Sequence, residues 1–149
     1  MTRKAKDLDS LLRLRSWAVD EQRRELGILL AREEELVREG EELVRQLIRE
    51  QQVAAADPTN AGFTYAAFAE DHRRRRERLA RLKAELAVEI DAARDRLADA
   101  YRQLKVLEEV QKERRRQERA EEARREQAAF DEIAQTQHRM RNPPSQGGS

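Results

Sequence analysis

Large aliphatic residues recur along this chain at alternating steps of three and four. In the first third, one row runs Leu8, Arg15, Gln22, Leu29, Leu36, Leu43, and its neighbour runs Leu12, Val19, Leu26, Glu33, Gly40, Leu47. Further on, the matching rows are Leu79, Leu86, Ala93, Ala100, Leu107 and Lys83, Ile90, Leu97, Leu104, Gln111. Heptad rows sustained over several repeats, with charges between them, are the pattern of coiled-coil helices. Leu30, Val37 and Val44 widen the first stripe, as a seam with an additional contact requires.

Helix breakers set the limits. Pro58 and Gly62 fall at mid-chain, and Pro143, Pro144, Gly147 and Gly148 fall at the end. Gly27 and Gly40 alone interrupt otherwise helical sequence, at a cost of about 1 kcal/mol each relative to Ala. The pattern predicts helix 1 over about 5–56, a turn over 57–63 capped by Asn60 or Thr64, and helix 2 over about 64–141. Residues 142–149 read as a disordered tail. The fold class is all-α: residues 1–141 form a single hairpin of two long helices in an antiparallel coiled coil. A turn centred near residue 60 makes facing position numbers sum to about 119, which sets Leu29 against Ile90, Leu26 against Ala93 and Leu36 against Lys83. Arg15, Gln22 and Glu33 then face leucines, with stems long enough to carry their polar ends outward.

In this register helix 1 runs out of partner, and helix 2 protrudes beyond about residue 114. At ~1.5 Å per residue the helices measure about 75 Å and over 100 Å. The protruding stretch from Glu113 to Gln127 has no large apolar residue. Pairs such as Arg114–Glu118, Glu121–Arg125 and Arg119–Glu122 suit a helix without a partner. Phe130, Ile133 and Ala134 restore a small apolar patch after it.

Composition narrows the function. Of 149 residues, 41% are charged, 38% hydrophobic and 4% aromatic, too little bulky apolar surface for a thick globular core. The 31 basic and 30 acidic residues leave a net charge of +1, which speaks against a nucleic-acid binder. No apolar run approaches the ~20 residues of a membrane span, and the charged start has no signal-peptide pattern. Cys is absent, which removes disulfide and thiolate chemistry and fits a cytosolic setting. No phosphate-cradling glycine loop is present, and the serines have no nearby histidine to activate them. His72 and His138 read as solvated surface residues rather than metal ligands. No catalytic site, cofactor or metal is expected.

Four features stand out on this background. Arg73-Arg-Arg-Arg76 is either a solvated face, diluted by Glu70, Asp71 and Glu77, or an anion-binding patch. Phe63, Tyr65 and Phe68 either close the end of the coiled coil or form a docking patch. Trp17 lies off the seam, as an edge-packing or partner-facing residue. The 113–134 stretch is a solvated helix or a recognition surface of mixed charge.

Arg102-Gln-Leu-Lys-Val-Leu-Glu-Glu-Val110, Arg119-Ala-Glu-Glu-Ala-Arg-Arg-Glu-Gln127 and Asp131-Glu-Ile-Ala134 together resemble the C-terminal half of the flagellar export protein FliJ family. The Leu-rich start Leu11-Leu-Arg-Leu14, the mid-chain break and the aromatic after it match as well. The resemblance implies a non-enzymatic, stalk-like component of the flagellar type III export apparatus, cytoplasmic and at the inner membrane's cytoplasmic face. It implies binding to the hexameric export ATPase FliI, to the cytoplasmic domain of the export gate protein FlhA and to export chaperones, with the free protein a monomer. By analogy, Trp17, Arg119, Glu126, Asp131 and Glu132 go to the ATPase side, and Phe63, Tyr65, Phe68 and His72 to the gate side. The injectisome equivalent and a coiled coil that self-associates as a dimer are the alternative readings.

Overall fold

The computed structural model describes residues 3–144, with side chains from residue 7 onward. Two helices account for nearly all of it: α1 (Arg3–Ala56) and α2 (Pro58–Arg141). No strand occurs among the described residues. The expected tail begins as non-helical backbone at 142–144; its remainder, 145–149, lies outside the described residues.

The turn is shorter than the sequence pattern suggests. Asp57 alone leaves the helical state, and the residues expected to form the rest of the turn are the first turn and a half of α2. Proline explains the difference. The residue before it is driven out of the α region, which stops α1 at Ala56. Pro58 itself suits a first helical position, where no N–H is needed. Asp57 therefore takes the capping place expected of Asn60 or Thr64. Its carbonyl accepts the Ala61 N–H at 3.1 Å, and its side chain accepts from Asn60 Nδ2 at 3.4 Å.

By its internal contacts the chain divides into two units. The first is the hairpin, Arg13–Leu104, in which the two helices pack against each other. Leu36 on α1 and Leu79, Leu86 and Ile90 on α2 form one buried cluster, with Leu26, Leu29, Leu30 and Leu43 packed against it. Leu36 is 1% exposed and Ala93 0%. Cross-helix pairs fix the antiparallel register within about a turn and a half of the expected alignment. Arg15 Nη1 donates to Gln103 Oε1 at 2.6 Å, the Arg23 guanidinium lies 5.1 Å from the Tyr101 ring centre, and Glu25 is 3.9 Å from Arg96.

Polar seam residues behave individually. Glu33 and Lys83 are exposed, and the Lys83 Nζ reaches across to α1 beside Gly40. Arg15 is half-buried and finds Gln103. Gln22 has its Oε1 buried without a hydrogen-bond partner, a local cost in a seam otherwise filled by leucine. Gly40 faces α2: a Cβ placed there would make ordinary contact, 3.4 Å from both Leu79 Cδ2 and Lys83 Nζ. Gly27 faces open space, since a Cβ there meets nothing within 4 Å. Gly27→Ala is therefore expected to stabilise the hairpin by about 0.5–1 kcal/mol, through helix propensity alone. Urea unfolding followed by circular dichroism measures it; an unchanged or lower midpoint would contradict the open placement of Gly27.

The second unit comprises the start of α1, through Leu12, and α2 from Lys105 onward. Leu8 is buried, Leu12 and Leu107 are half-buried, and Gln111 Nε2 donates to Asp9 Oδ1 at 3.4 Å. From Lys112 to Pro144 every described residue is exposed. Helix persists there on local pairs: Arg116 with Glu113 at 2.6 Å, Arg125 with Glu121 at 4.0 Å and Gln127 Nε2 donating to Asp131 at 3.1 Å. Of the three pairs expected from spacing, Glu121–Arg125 forms; Arg114–Glu118 and Arg119–Glu122 do not occur among the described residues. Arg116 takes a carboxylate one turn back instead. His138, Arg139 and Arg141 occupy the last turn, where positive charge complements the helix dipole.

Candidate docking surfaces

The hairpin tip is built on a heptad row that starts earlier than its leucines. Stepping back by sevens from Leu79 reaches His72 and then Tyr65, so both fall on the seam side of α2. His72 is accordingly only 4% exposed. Its Nε2–H donates to the Leu43 carbonyl of α1 at 2.8 Å, and its ring centre lies 5.8 Å from that of Phe68. The expectation of a solvated His72 fails for this reason, and so does its place on an exposed partner-facing surface. Tyr65 and Phe68 are half-buried, whereas Phe63 is 94% exposed. The three aromatics thus divide: Phe68 helps close the tip and Phe63 is free for a partner. His72→Ala is expected to cost about 1–3 kcal/mol of stability, since it removes a buried hydrogen bond and leaves a void. Chemical denaturation checks this; a cost below about 0.5 kcal/mol would mean that His72 does not join the helices.

Arginine 73 to 76 are mostly spoken for by neighbouring acids. Arg73 lies 2.6 Å from Glu70 and 2.8 Å from Glu77, Arg74 is 3.4 Å from Glu70, and Arg75 is 2.9 Å from Asp71. Hydrogen bonding to Arg73 holds the Glu70 carboxyl below its ordinary value, and the same contact raises the Arg73 guanidinium. Arg45 and Arg49, both at 3.0 Å, likewise lower Glu42. A lowered carboxylate supports the fold above its unfolded-state titration and loses that support as pH falls through the folded value. These pairs are exposed and each contributes little. The Arg run is a self-compensated face, with a local geometry that favours helix over anion capture.

Trp17 is 60% exposed on α1. In the unit that carries the chain's ends, Arg119, Glu126, Asp131 and Glu132 are all exposed. Asp131 accepts from Gln127, and the Glu132 carbonyl accepts from Thr136 Oγ1 at 2.9 Å. Phe130, Ile133 and Met140 share a face of that helix and are exposed too. Sequence reasoning missed the Arg23–Tyr101 contact, whose two partners stand outside the heptad rows, and the orphaned Gln22 oxygen, which stands on one of them.

Among the described residues no cluster of three or more His, Asp or Glu is placed to hold a metal ion. Among them, too, no helix is long and apolar enough to cross a membrane. The molecule is a helical hairpin that displays charged and aromatic side chains on its surface. The family model for the flagellar FliJ protein matches residues 4–143, and the chain belongs to that family. It is thereby a component of the flagellar export apparatus. Neither the curated proteins nor the solved structures contain a match to it.

Proposed function

We propose that this chain is a non-catalytic, stalk-like regulator that binds the export ATPase FliI ring and links it to the cytoplasmic domain of the export gate FlhA. Membership of the FliJ family carries the reading. The exposed helix from Lys112 onward supports it, because a helix of mixed charge with no intrachain partner among the described residues suits many modest contacts along a ring's inner wall. In this reading Arg119, Glu126, Asp131 and Glu132 meet the ATPase, and Trp17 contacts the same partner. Phe63 leads the gate contact, Tyr65 and Phe68 flank it, and His72 holds the tip in shape rather than touching the gate. Export chaperones are further partners. The protein acts at the cytoplasmic face of the inner membrane, recruited there by the proteins it binds.

The test is the ATP hydrolysis rate of the cognate export ATPase with and without this chain. The proposal expects faster hydrolysis and a complex isolable by size exclusion. An unchanged rate together with no complex would contradict it.

A further inference from the structure

The hairpin unit has two unlike flanks. Arg23 reaches Tyr101 on one side of the seam, and Glu25 reaches Arg96 on the other. On the Glu25 side two grooves open between α1 and α2. The first, of about 290 Å³, has a floor of Leu43, Leu79 and Leu82. Its α1 wall carries Glu39 and Glu42, and its α2 wall carries Arg75 and Arg78. The second, of about 460 Å³, is floored by Ile28, Leu29, Val88 and Ala92. Its α1 wall carries Glu25, and its α2 wall carries Glu89 and Arg96.

The grooves share one repeat. Leu29 and Leu43 stand on the same heptad row two heptads apart, so the groove centres are separated by about 21 Å at ~1.5 Å per residue. Leu82, Ile28 and Val88 are exposed in the grooves, with no described residue covering them. Their walls are polarised, with α1 acidic throughout and α2 mainly basic. Glu39 and Arg78 line the first groove without an ion-pair partner among the described residues. Unpaired charges of opposite sign on either side of an apolar floor specify an occupant with a basic edge and an acidic edge.

We propose that this flank is the docking track of a third, amphipathic helix supplied by a partner protein. The helix places a bulky apolar side chain in each groove, two heptads apart, as a knob on a coiled-coil hole. Its basic edge runs beside Glu39, and its acidic edge beside Arg78. The inference concerns a flank with no part in the proposed ATPase contact, and its test needs no export component.

The probe is a labelled synthetic helical peptide of about 21 residues. It carries leucines two heptads apart, alanines elsewhere on that face, lysines along one edge and glutamates along the other. Fluorescence anisotropy against the full chain should give saturable binding. Val88→Glu and Leu82→Glu should each weaken it about tenfold or more, with helicity unchanged because both side chains are exposed. Ile28→Gln repeats the test in the second groove with a gentler change. Arg78→Glu should weaken the peptide too, and a peptide with lysine on both edges should recover binding to that variant. Equal binding by the wild type and these variants, or none by the wild type, overturns the proposal. So does sedimentation of the chain alone at twice 17.4 kDa that Val88→Glu returns to the monomer, since the occupant is then a second copy.

Discussion

Leu36→Ala is expected to lower the unfolding free energy by about 2–4 kcal/mol, the largest effect of any single core truncation in this chain. Among the described residues Leu36 is the one large side chain almost wholly removed from water, and it is α1's buried member of the cluster with Leu79, Leu86 and Ile90. A two-helix seam has no second layer to collapse into the space. The lost methyl groups therefore leave a void flanked by leucines, and both transfer and cavity terms count. Small domains hold only about 5–15 kcal/mol in total, so the midpoint of thermal unfolding should fall by many degrees. Leu14→Ala is the comparison. Leu14 is more than half exposed, and its truncation should cost under about 1 kcal/mol. Similar losses for the two variants would mean that the seam does not centre on Leu36.

Removing residues 113–149 is expected to abolish stimulation of the export ATPase while leaving the hairpin folded. The deletion takes away only exposed side chains among the described residues, held by pairs within their own helix such as Arg116–Glu113 and Gln127–Asp131. No cavity forms and no buried polar group is orphaned, so the thermal midpoint should shift little. The functional loss should be complete, because the deletion removes Arg119, Glu126, Asp131 and Glu132 together with the apolar face of Phe130, Ile133 and Met140. A truncated chain that stimulates hydrolysis as the full chain does would move the ATPase contact to the hairpin. A truncated chain that melts far earlier would show that the segment is part of the folded core.

The fold was legible because its information is periodic. Rows of leucine at heptad spacing state which faces are buried, and one mid-chain proline states where the helix breaks. The antiparallel pairing followed from those two facts, but the register less exactly: the expected alignment set Leu36 against Lys83, a slip of a full heptad fitted as well, and the structure gathers Leu36 with Leu79, Leu86 and Ile90 in one cluster. The turn was harder. Asn60, Gly62 and Thr64 resemble turn residues by type, but a proline at the first helical position needs only Asp57 outside the helix. His72 was misread for a related reason: a histidine beside four arginines looks solvated until the heptad row is extended back from Leu79. Which partner reads Trp17 or Phe63 is not periodic information at all. Exposure marks those side chains as available, and the family supplies the setting.

The most direct measurement uses the absence of cysteine. Glu25 and Arg96 lie 3.9 Å apart across the seam, both exposed, so cysteines substituted there report the fold without disturbing the core. With a short bifunctional maleimide at low micromolar protein, the account predicts an internally bridged product at the monomer mass of 17.4 kDa. Bridging found only at twice that mass, or no bridge at all, would show that the two helices of one chain do not pair.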